Sequence, residues 1–202
     1  MTTTPHALFP QVAAMVLACW AAACILYLPP VANRLRVPAG RLVFILGWLV
    51  LAAYMAWMWI ALERPPMRTQ GETRLWYVLI LPLFALLMEW RWKMHYLAII
   101  NILMAAGFII KNLTSPELFD KSLMPALQSP WFVPHVIVYM VAYAAVGAAA
   151  AYALVVLAID LAKPGALAAE AAPAMQRLVH IGFPLMTAGL VFGALWAKVA
   201  WG

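Results

Sequence analysis

A histidine and three tryptophans are the residues best placed to do chemistry in this chain. His135 follows an aromatic, proline-flanked entry, Ser129-Pro130-Trp131-Phe132-Val133-Pro134, and sits about a turn inside a long apolar segment. A second, glycine-bearing apolar segment carries Trp196 and Trp201. A neutral imidazole can offer one nitrogen lone pair to a metal, and axial ligation of haem iron is the chemistry this makes available. Indoles beside it could stack on a flat macrocycle or simply populate an aromatic belt. A membrane histidine can equally bond a backbone group, since polar tips need partners in lipid. Spacing alone leaves these readings open. His135, Tyr139 and Tyr143 recur every four residues, which makes one slowly drifting helical stripe. Lys198 could meet a propionate or snorkel to headgroups.

His95 and His180 form an alternative pair, one opening the fourth apolar helix and one in the first turns of the sixth. Two histidines at one membrane depth could hold a b-type haem. His6 falls in the N-terminal tail and reads as solvated. Cys19 and Cys24 share one apolar helix at a spacing that suits neither a redox pair nor zinc. They read as small apolar fillers. No Ser-His-Asp set, HExxH motif, Walker loop or carboxylate cluster is present, so no catalytic residues are assigned.

The composition decides what positions these side chains. Hydrophobic residues make up 67% of the 202 and charged ones 10%, against about 45–50% and about 25% in soluble domains. The chain is therefore read as an all-α, polytopic transmembrane helical bundle of about six spans, in one domain over residues 1–202. The predicted helices are about 8–28, 42–62, 75–90, 94–110, 131–161 and 176–201. Pro29-Pro30 stops the first. Arg34, Arg36 and Arg41 are read as filling the loop that follows. Glu63-Arg64-Pro65-Pro66 ends the second helix. Glu89, Arg91 and Lys93 would be costly at mid-membrane, so a surface hairpin is expected there. Ser129-Pro130 reads as an N-cap followed by proline at the first helical position. Pro164 to Ala174 reads as a linker. Gly189, Gly193 and Ala197 form a small-xxx-small series that predicts close packing of the last two helices.

The formal charge of +6 sits in loops, where orientation signals account for it, and gives nucleic acid binding little support. Basic residues divide almost evenly between the two sides, so charge alone does not orient the chain. The uncharged N-terminal tail favours an outside N-terminus, which places His135, Trp131, Trp196 and Trp201 outward.

Two runs, LMPALQSPWFVPHVIVYMVAYA at 123–144 and GFPLMTAGLVFGALWAKVAWG at 182–202, with a weaker echo in EWRWK at Glu89, resemble the cytochrome c assembly family. These are the haem-handling membrane proteins of the CcsA/CcmC/CcmF group. The resemblance covers the second half of the chain. It implies an external histidine ahead of a tryptophan-rich haem-binding stretch, and His135 falls on that position, as axial ligand to haem iron. The family hallmark continues with further tryptophans and a Trp-Asp-Pro step, beyond Trp201-Gly202. The expectation is therefore a module truncated or split relative to the family, with an incomplete haem site. The resemblance further implies a multi-pass protein of a bacterial-type inner membrane that presents haem outward for attachment to apocytochrome c. Other assembly subunits, apocytochrome c and membrane lipid would be its partners. The alternatives are a b-type electron-transfer or quinone-site subunit using His95 and His180, and a structural membrane partner without cofactor.

Overall fold

The computed structural model describes residues 5–28, 36–92, 95–120, 129–162 and 168–202. Six α-helices account for most of them: α1 (Phe9–Tyr27), α2 (Arg36–Leu62), α3 (Gln70–Trp92), α4 (His95–Thr114), α5 (Phe132–Ala162) and α6 (Ala168–Trp201). Short 3-10 turns lie at Pro5–Leu8 and Pro116–Phe119. The architecture is all-α. Four stretches, Pro5–Tyr27, Arg36–Leu62, Phe132–Ala162 and Ala172–Trp201, are each long and apolar enough to cross a membrane. A shorter apolar run covers Ile99–Thr114. The chain is an integral membrane protein.

Two compact units divide it. One comprises Met1–Leu83 with Ile102–Leu123, the other Phe84–Asn101 with Met124–Gly202. In the first, α1 packs along α2. Phe9, Ala13, Val16, Trp20, Ala23 and Tyr27 are buried, and their three- and four-residue spacing makes a single stripe on α1. Facing it, α2 buries Gly40, Phe44, Gly47 and Leu51. The Trp20 indole lies where a Cβ on Gly47 would stand, 2.8 Å from Cδ1, so the small residue sets the distance between the helices. Trp48 ties α2 to α3 by donating its indole N–H to the carbonyl of Leu79 (2.9 Å). At its end α2 stops on Glu63, whose φ of 53° is the left-handed turn that closes many helices.

In the second unit α5 and α6 pack against each other. Ala142, Ala144, Ala145, Ala148 and Ala149 of α5 are buried. Small side chains allow the close approach that membrane helices need, because lipid gives them no apolar drive to associate.

Helix boundaries differ from the sequence reading at several places. Arg36 and Arg41 belong to the first turns of α2 and not to the preceding loop. Hydropathy marks where the apolar run begins at Leu42, whereas the helix begins earlier around Pro38, a residue whose missing N–H costs nothing in a first turn. The Ala/Pro-rich linker is already helical from Ala168 and carries Pro173 inside α6, since alanine is the best helix former. The charged Glu89 to Trp92 stretch completes α3, which runs through Pro82, while Lys93 lies outside the described residues.

Candidate functional site

The sequence puts Pro130 at the first helical position, but α5 begins two residues later, at Phe132, and Ser129-Pro130-Trp131 form the turn that leads into it. Ser129 Oγ accepts the backbone N–H of Trp131 at 3.2 Å. The N–H of Phe132 bonds the Ser129 carbonyl, and that of His135 bonds the Trp131 carbonyl. Pro134 sits inside the first turn of α5, where no intrahelical donor is required. His135 is thereby fixed one turn into α5, half-buried.

Its ring reaches α6. His135 Nδ1 lies 2.8 Å from the carbonyl oxygen of Gly189. A carbonyl can only accept, so Nδ1 carries the proton, and in the neutral ring Nε2 keeps its lone pair. A backbone carbonyl bonded in this way fixes the tautomer and the orientation of the imidazole. Glycines admit the ring. A Cβ on Gly193 would lie 2.7 Å from His135 Cε1, and one on Gly189 would lie 3.1 Å from the Tyr139 ring. Further along, Gly182 faces Val146 and the carbonyl of Ala142. Gly189 and Gly193 were legible as a small-residue series. Gly182 was not, because it stands seven residues from Gly189 and outside the four-residue repeat.

Aromatic rings surround the imidazole. The Trp196 indole lies nearly parallel to it at 6.0 Å, and Tyr139 meets it edge-on at 4.7 Å. Trp201 abuts Trp196 at 4.8 Å, and Phe132 approaches Trp196 at 6.3 Å. Trp131 stacks on Phe192 at 6.2 Å, and the Tyr139 ring stacks on Tyr143 at 5.2 Å. His135, Tyr139, Trp196 and Trp201 thus form one continuous cluster, with Trp131 on a neighbouring stack between the same two helices. Trp201 is 68% exposed and Trp131 39%, which leaves indole faces open at the edge of the cluster. Lys198 is exposed in the last turn of α6. The donor set suits haem: one imidazole with a free lone pair, held by a carbonyl in a cluster with open indole faces at its edge. Among the described residues no group of three or more His, Cys, Asp or Glu side chains could hold a metal by themselves.

Of the alternative pair, His180 is exposed on α6. His95 opens α4, and its side chain lies outside the described residues.

The first unit holds a polar cluster that the sequence reading missed. Glu72, in the first turn of α3, is fully buried, and both its oxygens are engaged by Arg64 at 2.9 Å. The backbone N–H of Arg68 donates to it at 2.8 Å, and that of Thr69 at 3.3 Å. Glu72 N–H donates in return to Thr69 Oγ1 at 3.2 Å. His6 Nε2 stands 3.3 Å from Glu72 Oε1, and the ring stacks on Phe119 at 4.9 Å. Burial would raise the Glu72 carboxyl, but the His6 ring, the Arg64 guanidinium and the Arg68 N–H together bring it down to about 2. His6 is consequently an anchored residue and not a solvated tail. Thr69-Gln70-Gly71-Glu72 is a capping box, and that spacing was the available signal.

The sequence as a whole matches the family described as cytochrome C assembly protein over residues 9–202. Among similar proteins is the cytochrome c biogenesis protein CcsA of Synechococcus sp. (strain WH7803), 26% identical over an alignment of 197 residues that covers 76% of this chain and 62% of that protein. The CcsA of Prochlorococcus marinus subsp. pastoris is 28% identical over an alignment of 194 residues that covers 80% of this chain and 62% of the relative. That of Heterosigma akashiwo is 24% identical over an alignment of 200 residues that covers 76% and 62% respectively. The chain thus spans just under two thirds of the length of these relatives. The family match runs through all of α5 and α6, including the histidine and tryptophans that meet between them, and the chain belongs to the cytochrome c assembly protein family.

Proposed function

We propose that the chain is a membrane component of cytochrome c biogenesis that holds haem through His135 and presents it for attachment to apocytochrome c. The observation that carries this reading is the His135–Gly189 hydrogen bond. It fixes the proton on Nδ1 and leaves Nε2 as the lone pair an axial ligand requires. Trp196 lies against the imidazole, Trp201 abuts Trp196, Trp131 stands on the neighbouring stack with Phe192, and these indoles would supply apolar faces for a macrocycle. Tyr139 holds the ring edge-on, and Lys198 is the cation available to a propionate. When bound, haem supplies the reactive vinyl groups; the protein supplies position and orientation. A bacterial-type inner membrane, with the site facing outward, suits a reaction whose cytochrome partner matures outside. Other assembly subunits would complete the machinery.

The test is haem titration of the purified full chain, followed by absorption spectroscopy. Wild type should bind haemin with a shifted Soret band. His135→Ala should lose the shift, whereas His95→Ala and His180→Ala should keep it. Loss with His95 and His180 but not His135 would transfer the site to that pair, the arrangement of a b-type electron-transfer or quinone-site subunit. The absence of a Soret shift in wild type and all three variants would leave a structural partner without cofactor.

A further inference from the structure

A groove of about 420 Å³ lies between the start of α3 and the second half of α4, lined by Arg74, Met104, Gly107, Phe108 and Lys111. Met104, Gly107, Phe108 and Lys111 follow one face of α4 at helical spacing. The Phe108 ring is backed by Tyr77, stacked on it at 5.3 Å. Gly107 leaves the middle open, for nothing stands within 4 Å of the place its Cβ would occupy. The groove is therefore apolar along its floor and cationic at one end. The described lining includes no carboxylate.

Arg74 Nη1 is buried without a hydrogen-bond partner. A guanidinium nitrogen withdrawn from water and left unpaired is costly, and Lys111 beside it adds a second positive charge. The Lys111 ammonium gives one hydrogen bond to Ser115 Oγ at 2.8 Å and has two protons left for another acceptor. The α3 charge at position 74 directly precedes the apolar run from Leu75, and Lys111 lies in the last turn of α4. Both cations thus stand where a membrane helix meets headgroups.

We infer that this groove is a specific site for an anionic phospholipid. The phosphate would sit between Arg74 and Lys111, and the start of an acyl chain would lie over Gly107, Met104 and Phe108. A basic pocket between helices with an apolar floor matches both parts of such a molecule. A small anion would use the cations and leave the floor unused, and a zwitterionic lipid would bring a competing positive charge to them.

Native mass spectrometry of the full chain, titrated with phosphatidylglycerol, phosphatidylcholine or inorganic phosphate, tests the assignment. Wild type should prefer phosphatidylglycerol to phosphatidylcholine by about thirtyfold, about fivefold for each cation. Arg74→Gln with Lys111→Gln should bring the preference close to parity. Gly107→Leu should abolish it with both charges intact, because the new side chain fills the groove without meeting a neighbour and leucine is the better helix former. Arg68→Gln, an exposed cation earlier in the chain, should leave the preference unchanged. A preference that survives Gly107→Leu or the double substitution overturns the site. So does an equal loss with Arg68→Gln, which would indicate general surface charge. Inorganic phosphate binding as tightly as phosphatidylglycerol would reduce it to an ion site and overturn the lipid assignment.

Discussion

The imidazole of His135 occupies the space that a side chain on Gly193 would take, with Cε1 2.7 Å and Nδ1 2.9 Å from the position of the absent Cβ. Position 193 therefore controls both helix contact and the orientation of the ring. Gly193→Ala should push the ring off the Gly189 carbonyl, and Gly193→Leu should also separate α5 from α6. Overpacking of this kind costs about 1–3 kcal/mol. Thermal unfolding in detergent should show both variants below wild type, with leucine the lower. Unchanged melting for Gly193→Leu would place the helix contact elsewhere.

Glu72 gives a pH signature. Its carboxyl stands at about 2 in the folded chain against an ordinary 4.5. A depressed folded value means that the stabilisation is complete above the ordinary carboxylate range and is lost as pH falls through about 4.5 toward about 2. Stability should therefore be level near neutrality and decline in that acid window. Glu72→Gln should remove most of the decline and cost about 3 kcal/mol near neutrality, since it leaves Arg64 partly buried without its counter-charge. Chemical unfolding between pH 3 and pH 7, compared for the two proteins, decides the matter. An acid limb of equal size in Glu72→Gln would assign it to other carboxylates.

The same cluster predicts topology within its unit. His6, Arg64, Glu72 and Phe119 meet, so the start of α1, the α2–α3 connection and the end of α4 lie at one membrane face. Reporter fusions at Pro66 and at Asp120 should read the same side. Opposite readings would exclude the arrangement, because a carboxylate held by His6 and Arg64, with the His6 ring stacked on Phe119, cannot be divided by a bilayer.

How far the sequence discloses this protein depends on which physical signal a residue leaves. Apolar runs disclose α1, α2, α5 and α6, because crossing lipid demands length and hydrophobicity together. They do not locate Arg36 or Ala168 as helix starts, since a helix extends past its apolar part into water. The place of His135 one turn into α5 was legible because Ser129-Pro130 precedes it at a helix entry. Its bond to Gly189 was not, for nothing in a sequence 54 residues apart reports which carbonyl a ring will reach. The His6–Glu72 contact was hidden for the same reason. The capping box at Thr69 was a local signal, but it discloses a helix start and says nothing of a buried carboxylate. Nothing in the sequence around Arg74 sets it apart from the other basic residues, and only the structure shows it lining a groove with Lys111.

The last prediction separates a ligand from its surroundings. If His135 Nε2 ligates haem iron, His135→Ala opens a cavity beside Gly189 and Gly193 that imidazole added to the buffer can enter. Added imidazole should then restore the wild-type Soret position in His135→Ala and leave wild type little changed. Trp196 acts through stacking, at about 0.5–1.5 kcal/mol for an aromatic pair. Trp196→Ala should accordingly weaken haem binding about three- to tenfold without moving the band. The two variants must differ in kind: one changes the spectrum and is rescued by imidazole, the other changes affinity and is not. A Trp196→Ala spectrum that shifts as His135→Ala does, or a His135→Ala spectrum that imidazole leaves untouched, would mean that the histidine only braces α5 against α6 through its bond to Gly189.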